Sequence, residues 1–239
     1  LLKQRDEQTA GVWQTEVMLT PVLFDMECEG LCVDRVELQK KQLEVLLELG
    51  MLDEQLHRLT GQSFRPHVNE DCFEVLCNQY GLPVLGLTDT GDPSFDKDAL
   101  TSYCAHPIVT QSAQLTDVVH MIQKYRKLHT LNSLFIETYL REEVNGVMHP
   151  DYNQCIRTGR MSCRKPNAQQ LSKVAKMLVH PPEGHDFDSF DYSQIEFRLL
   201  VHYIKDPKAI AAYLENPDTD FHKWVAEMCG IPRRPAKNV

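Results

Sequence analysis

Apolar positions recur at helical spacing through most of the first 140 residues and then give way to shorter, mixed patterns. Residues 12–27, VWQTEVMLTPVLFDME, carry apolar side chains at roughly helical intervals and end near Gly30. Residues 33–61, VDRVELQKKQLEVLLELGMLDEQLHRLTG, place Asp34 as an N-cap before an i, i+3, i+4 apolar stripe and Gly61 as its stop, the signature of one long helix. Residues 62–98 hold a short helix around 70–79 and the Gly/Pro/Asp-rich run GLTDTGDPSFD, which reads as an exposed tip. DVVHMIQKYRKLHTLNSLFIETYL, residues 117–140, returns as a long amphipathic helix with Lys124, Arg126 and Lys127 clustered on it.

After about residue 143 the pattern changes. GVMHPDYNQCIRTGRMS reads as strand and turn, DFDSFD as a strand edge, and residues 193–204, 207–215 and 220–229 as successive helices. The expected fold class is therefore mixed α/β and mainly helical.

Composition bounds the function. At 239 residues and 42% hydrophobic content the chain can bury one large or two modest cores. A net charge of −9 argues against a general basic coat for nucleic acid. The distribution is uneven, however: between Tyr152 and Pro182 lie Arg157, Arg160, Arg164, Lys165, Lys173 and Lys176, with no Asp or Glu among them. That stretch suits phosphates, and a solvated basic loop fits it as well. Eight cysteines at irregular spacing, without a C-x-x-C pair, point away from a disulfide framework or structural zinc and towards a reducing cytoplasm. No apolar run reaches the length of a membrane span, and no signal peptide leads the chain. It begins LLKQRDEQ without Met and stops at RRPAKNV where a helical pattern starts, so it reads as a piece of a longer protein.

The candidate chemistry centres on Asp191 in SFDYSQIEFRLLVHY, residues 189–203. A carboxylate at the end of an extended run, just before a helix, suits a divalent cation because the backbone holds the ligand rigidly. It also suits a helix cap. Neighbouring segments separate the two readings.

DYSQIEFRLLVH (191–202), TGRMSCRKPNAQQL (158–171) and DFHKWVAEMCGIPRRPAKNV (220–239) resemble, in order, three segments of the family A DNA polymerases, which include bacterial repair and bacteriophage replicative enzymes. The first is similar to motif A, the second to the T-G-R signature that precedes it, and the third to the start of motif B on the fingers helix. PVLFDMECEGLCVD (21–34) and residues 106–140 are similar to thumb segments. The resemblance implies a right-hand polymerase architecture: thumb over residues 1–142, with the tip near 62–98; a partial palm with antiparallel strands over 143–230; and the truncated start of the fingers helix over 231–239.

What the resemblance implies for function is template-directed DNA synthesis, a nucleotidyl transfer from dNTP to a primer 3′-OH supported by two Mg²⁺ ions. Asp191 would be the catalytic carboxylate and, with the Tyr192 carbonyl, a metal ligand. Glu196 would be the steric gate that excludes a ribose 2′-OH, although an exposed helix Glu paired to a basic side chain explains it locally. Ser193, Gln194, Glu196, His222, Arg233 and Lys237 would bind dNTP; Arg233 and Lys237, four apart, share a helix face. Pro235, between them, departs from the family pattern and moves the expected helix start towards residue 233.

Arg160 would read the minor groove at the primer terminus, with Asn167, Gln169 and Gln170 on the duplex and Lys124, Arg126 and Lys127 on phosphates. The implied partners are primer–template DNA and dNTPs, without a membrane; the residues carry no signal for or against a processivity factor. The implied location is the cytoplasm, or the host cytoplasm for a viral protein. The family's second catalytic carboxylate and its base-stacking aromatic are expected past Val239, so the 239-residue chain alone is expected to be inactive.

Two other classes stay open. One is a non-catalytic DNA-binding module or degenerate palm. The other is a metal-dependent nuclease using Asp186, Asp188 and Asp191, of which only the first two share a strand face.

Overall fold

The computed structural model describes residues 7–231, apart from the side chains of residues 7–9, 222 and 228. The chain divides between Asp186 and Phe187 into two compact units.

The first unit opens with helix α1 (Glu7–Glu29), strand β1 (Leu31–Val33) and helix α2 (Arg35–Thr60). The ends of α2 follow the sequence: the Asp34 carboxylate accepts from the backbone N–H groups of Val36 (2.7 Å) and Glu37 (3.1 Å), and Gly61 closes the helix at φ 73°. Its buried stripe is Leu38, Val45, Leu49, Leu52, Leu56 and Thr60, and this face packs on α6 (Ala113–Thr130). Between them lie α3 (Asn69–Phe73), which runs into a π-helical turn (Glu74–Gln79), α4 (Lys97–Cys104) and α5 (Pro107–Thr110). Cys72, Leu76, Phe95, Leu100, Tyr103 and Ile122 are fully or nearly fully buried in the core that these helices share with α2 and α6.

The long helix expected over 117–140 starts earlier and is interrupted. Ser112 caps α6 by accepting from the Leu115 N–H, and after Thr130 the backbone widens into a π-helical turn (Leu131–Ile136) before α7 (Glu137–Glu142). Periodicity alone does not mark a π-bulge, because apolar spacing survives a one-residue slip in the hydrogen-bond ladder.

Among the described residues five short strands pair antiparallel in two sheets. β1 is central, flanked by β2 (Val147–Met148) and β5 (Val179–His180), with Leu31 opposite Met148 and Cys32 opposite both Val147 and His180. β3 (Asp151–Asn153) pairs with β4 (Ser162–Arg164). β1 thus joins residues on both sides of position 143. The corner from α1 into β1 needs Gly30: its φ is +66°, and a Cβ there would collide with the Met148 carbonyl oxygen and lie 2.7 Å from Val147 Cγ1. A 3₁₀ turn (Ala168–Gln170) and α8 (Lys173–Lys176) complete this unit.

The second unit holds α9 (Ile195–Ile204), α10 (Pro207–Glu215) and α11 (Phe221–Cys229) around the fully buried Phe221. DFDSFD forms no strand. Residues 186–191 have no ladder partner among the described residues, and an extended segment without one stays irregular. Among the described residues no helix is long and apolar enough to cross a membrane.

Candidate functional site

Asp191 and Tyr192 lie on the irregular approach to α9, and both are exposed, Tyr192 at 79%. The Asp191 carboxylate makes no hydrogen bond or ion pair with any described residue, so it does not cap α9. Ser193 and Gln194 turn the chain into the helix, and Glu196 stands exposed in its first turn, where the positive end of the helix dipole favours an anion. Tyr192, Gln194, Ile195, Glu196, Phe197 and Leu200 line one open cleft. The turn therefore brings together five of the residues singled out in the sequence: Asp191, Tyr192, Ser193, Gln194 and Glu196.

Gln194 is unusual. Its backbone is left-handed, at φ 52° and ψ 39°, a conformation that a Cβ disfavours. Its side-chain amide donates through Nε2 to the Thr219 carbonyl (3.0 Å) and accepts at Oε1 from the Phe221 N–H (3.2 Å). Arg198, one turn further along α9, donates through Nε to the Ser193 carbonyl (2.8 Å) and through a second nitrogen to the Pro217 carbonyl. Its guanidinium lies 4.5 Å from the centre of the Tyr213 ring. Asp220 caps α11 by accepting from the Lys223 N–H, and His222 follows in the same turn. Arg198 escaped sequence reasoning because nothing in the local pattern separates it from an ordinary helix-surface arginine. The His222 side chain, Arg233, Pro235 and Lys237 lie outside the described residues.

The donors at this turn suit a hard cation in kind, since a carboxylate and a backbone carbonyl are both oxygen ligands. They are few in number: among the described residues no group of three or more His, Cys, Asp or Glu side chains gathers into a metal-binding cluster.

The residues expected on a duplex belong to the first unit. Arg160 is exposed in the connection from β3 to β4, and Asn167, Gln169 and Gln170 are exposed just beyond β4. Asn167 Oδ1 already accepts from the Gln169 N–H (3.1 Å), which gives this amide a capping role in the 3₁₀ turn. Arg157, Lys165, Lys173 and Lys176 are exposed as well, whereas Arg164 Nε is 2.8 Å from Asp151 Oδ2. On α6, Lys127 is exposed and Lys124 Nζ lies 2.5 Å from Glu48 Oε1, an exposed pair that solvent weakens.

Arg126 corrects the expectation of three phosphate ligands on this helix. Its guanidinium points inward and donates to the carbonyls of Pro66 (2.7 Å) and Phe95 (2.7 Å), to Asn69 Oδ1 (3.0 Å) and to Cys72 Sγ (3.5 Å). A basic residue at helical spacing looks the same in sequence whether it serves a ligand or loop carbonyls, and here the carbonyls of the tip use its donors.

Comparison with known proteins bears on the family and the fold. Residues 35–237 match the profile of DNA polymerase family A. The chain is 30% identical to DNA polymerase DpoZ of Salmonella phage PMBT28, over 93% of this chain and 38% of that protein. It is 32% identical to the thermostable DNA polymerase I of Thermus aquaticus, over 92% of this chain and 26% of that enzyme. The polymerase domain of Pol1 from M. smegmatis, solved in complex with DNA primer-template and dNTP, shares the fold, with a TM-score of 0.76 at 24% identity over 93% of this chain and 41% of that one. The chain thus spans roughly a quarter to two fifths of the curated relatives it matches. With the profile running from the first residue of α2 past the end of α11, the chain belongs to DNA polymerase family A.

Proposed function

We propose that this chain supplies the thumb (residues 1–142), the first part of the palm (143–230) and the start of the fingers helix (231–239) of a polymerase that copies a DNA template from dNTPs. The match of residues 35–237 to family A carries this reading. Asp191 and the Tyr192 carbonyl would hold a divalent metal, Glu196 would close the space beside the sugar, and Ser193, His222, Arg233 and Lys237 would bind the nucleotide. Divalent ions, when bound, stabilise the charge on the attacking and leaving oxygens of the transfer. Arg160 lies on the minor groove at the primer end, where acceptors recur in every Watson–Crick pair, and Gln169, Gln170, Lys124 and Lys127 accompany the duplex. Support for the turn comes from its exposure, its oxygen donors and the free Asp191 carboxylate. The nuclease reading asks more of the same carboxylates: it needs Asp186, Asp188 and Asp191 to share ions, and among the described residues these three form no metal-binding cluster.

The test uses a polymerase of family length carrying this chain. Asp191→Asn is expected to abolish extension. Glu196→Ala is expected to raise ribonucleotide incorporation about tenfold, the rate equivalent of roughly 1–3 kcal/mol of discrimination. An unchanged deoxyribose-to-ribose preference would remove Glu196 from the gate. Salt-sensitive binding of primer–template without extension by the unsubstituted protein would instead establish a DNA-holding module.

A further inference from the structure

We infer that Gln194 and Arg198 are positioning residues, which clamp the Asp191–Gln194 turn onto the α10–α11 connection and so hold the turn's oxygen donors in one geometry before a nucleotide arrives. The inference deepens the polymerase reading and rests on it.

Three observations converge. Gln194 has a left-handed backbone in spite of its Cβ, and such a conformation persists where surrounding contacts over-determine it. The contacts come from its own side chain: one amide accepts from the Phe221 N–H and donates to the Thr219 carbonyl, on both sides of the Asp220 cap. The residue expected to face a nucleotide thus has its carbonyl oxygen and one of its N–H groups engaged within the protein.

Arg198 supplies the second half. It donates to the Ser193 carbonyl, the next peptide after that of Tyr192, and to the Pro217 carbonyl in the same connection. Because each Arg198 donor is rigidly placed in a planar fork, the two carbonyls are held at a fixed separation. The ring of Tyr213 supports the guanidinium from one side. Beneath the clamp, Phe221 stacks on Phe197 at 4.6 Å and meets Tyr213 at 4.5 Å, so the residue whose N–H Gln194 accepts is itself fully buried. The connection then leads through Asp220 to His222, and the clamp fixes the spacing between that helix start and Asp191.

A role confined to folding would stabilise the turn without affecting metal dependence. The experiment separates the two. In the 239-residue chain, Gln194→Ala is expected to accelerate hydrogen exchange of the Phe221 amide about tenfold or more, while the buried helix amide of Ile122 is unchanged. In the family-length polymerase, Arg198→Met keeps the apolar stem over Tyr213 and removes both donors. It is expected to lower kcat and raise the Mg²⁺ concentration for half-maximal extension, each about tenfold, with the KM for dNTP little changed, as loss of a group that orients metal ligands does. Arg198→Lys, which restores one donor, is expected to recover part of both.

Unchanged Phe221 exchange in Gln194→Ala shows that no clamp exists and overturns the inference. Normal Mg²⁺ dependence and kcat in folded Arg198→Met, judged by its melting curve, overturns it too, leaving a folding role only. If Arg198→Met does not fold, Arg198→Lys decides: a normal Mg²⁺ dependence overturns the inference and a raised one supports it. Failure of the unsubstituted polymerase to extend a primer removes the polymerase reading and the positioning role with it, whatever the exchange measurement shows of the clamp.

Discussion

Residues 7–186 and residues 187–231 handle their apolar surface differently. The first unit closes three buried clusters, with Leu56, Phe95, Tyr103 and Ile122 in one, Val45 and Ile136 in the next, and Leu38, Tyr139 and Met148 in the third. The second has one cluster, built on Phe221 with Val201 and Ala209, and leaves Phe190 at 93%, Leu214 at 80% and Tyr203 at 79% exposure. A short segment cannot bury enough of its own surface to match a larger one, so its order depends on few contacts. The part that carries the expected chemistry is therefore the part with less packing of its own. The first unit is not uniform either: α1 exposes Trp13, Met18 and Phe24.

The largest expected effect tests that contrast directly. Phe221→Ala removes the centre of the only cluster described in the second unit and should cost about 3–5 kcal/mol, enough to open α9, α10 and α11. Ile122→Ala in the first unit should cost about 2–5 kcal/mol and leave the remaining clusters assembled. Hydrogen exchange resolved by segment distinguishes the outcomes; loss of protection across both units in Phe221→Ala would break the comparison.

Arg126→Met comes next. Stripping the donors from the Pro66 and Phe95 carbonyls should cost about 2–3 kcal/mol in urea unfolding, whereas Lys127→Met, on the exposed side of the same helix, should stay within about 0.5 kcal/mol.

Each unit also buries one tyrosine hydroxyl that finds no partner among the described residues, Tyr139 in the first and Tyr213 in the second. Burial pushes the Tyr139 phenol up to about 12. Tyr139→Phe and Tyr213→Phe should each raise stability by about 1 kcal/mol, and a loss in either would reveal a bond to water.

The smallest effect is confined to the first unit. Arg65 donates through Nε to Asp71 Oδ2 and through a terminal nitrogen to Oδ1, at 2.9 Å each, and this pairing holds the Asp71 carboxyl at about 2, against 3.8 for a free one. A lowered carboxylate pKa favours the fold above the unfolded value and loses its contribution as pH falls. Asp71→Asn should therefore lower the melting temperature at pH 7, and the deficit should close between about pH 4 and pH 2.

Much of the helical frame was legible in sequence because its signals are local. Asp34 and Gly61 end α2 where their chemistry requires, and α9, α10 and α11 begin within a few residues of their apolar patterns. What escaped depends on distant partners. DFDSFD alternates like a strand yet finds no ladder, Arg126 is claimed by loop carbonyls from two other segments, and Gln194 spends its amide on a connection that follows α10. At the candidate site the motif singles out Asp191, Tyr192 and Glu196 as expectations, whereas the contacts of Gln194 and Arg198 with the α10–α11 connection are tertiary and left no mark in the local pattern.

The central place of β1 bears on how the chain assembles during synthesis. Leu31–Val33 emerge before both neighbouring strands, Val147–Met148 and Val179–His180, which come from far downstream. Ribosomes add about 5–20 residues per second, so for several seconds α2 can form while β1 keeps two unsatisfied edges. Closing loops of that length adds entropy that grows only logarithmically, so the delay is mainly one of waiting for the partners. Nascent chains halted before Val147 should bind a holdase chaperone through this strand, and those extended past His180 should release it.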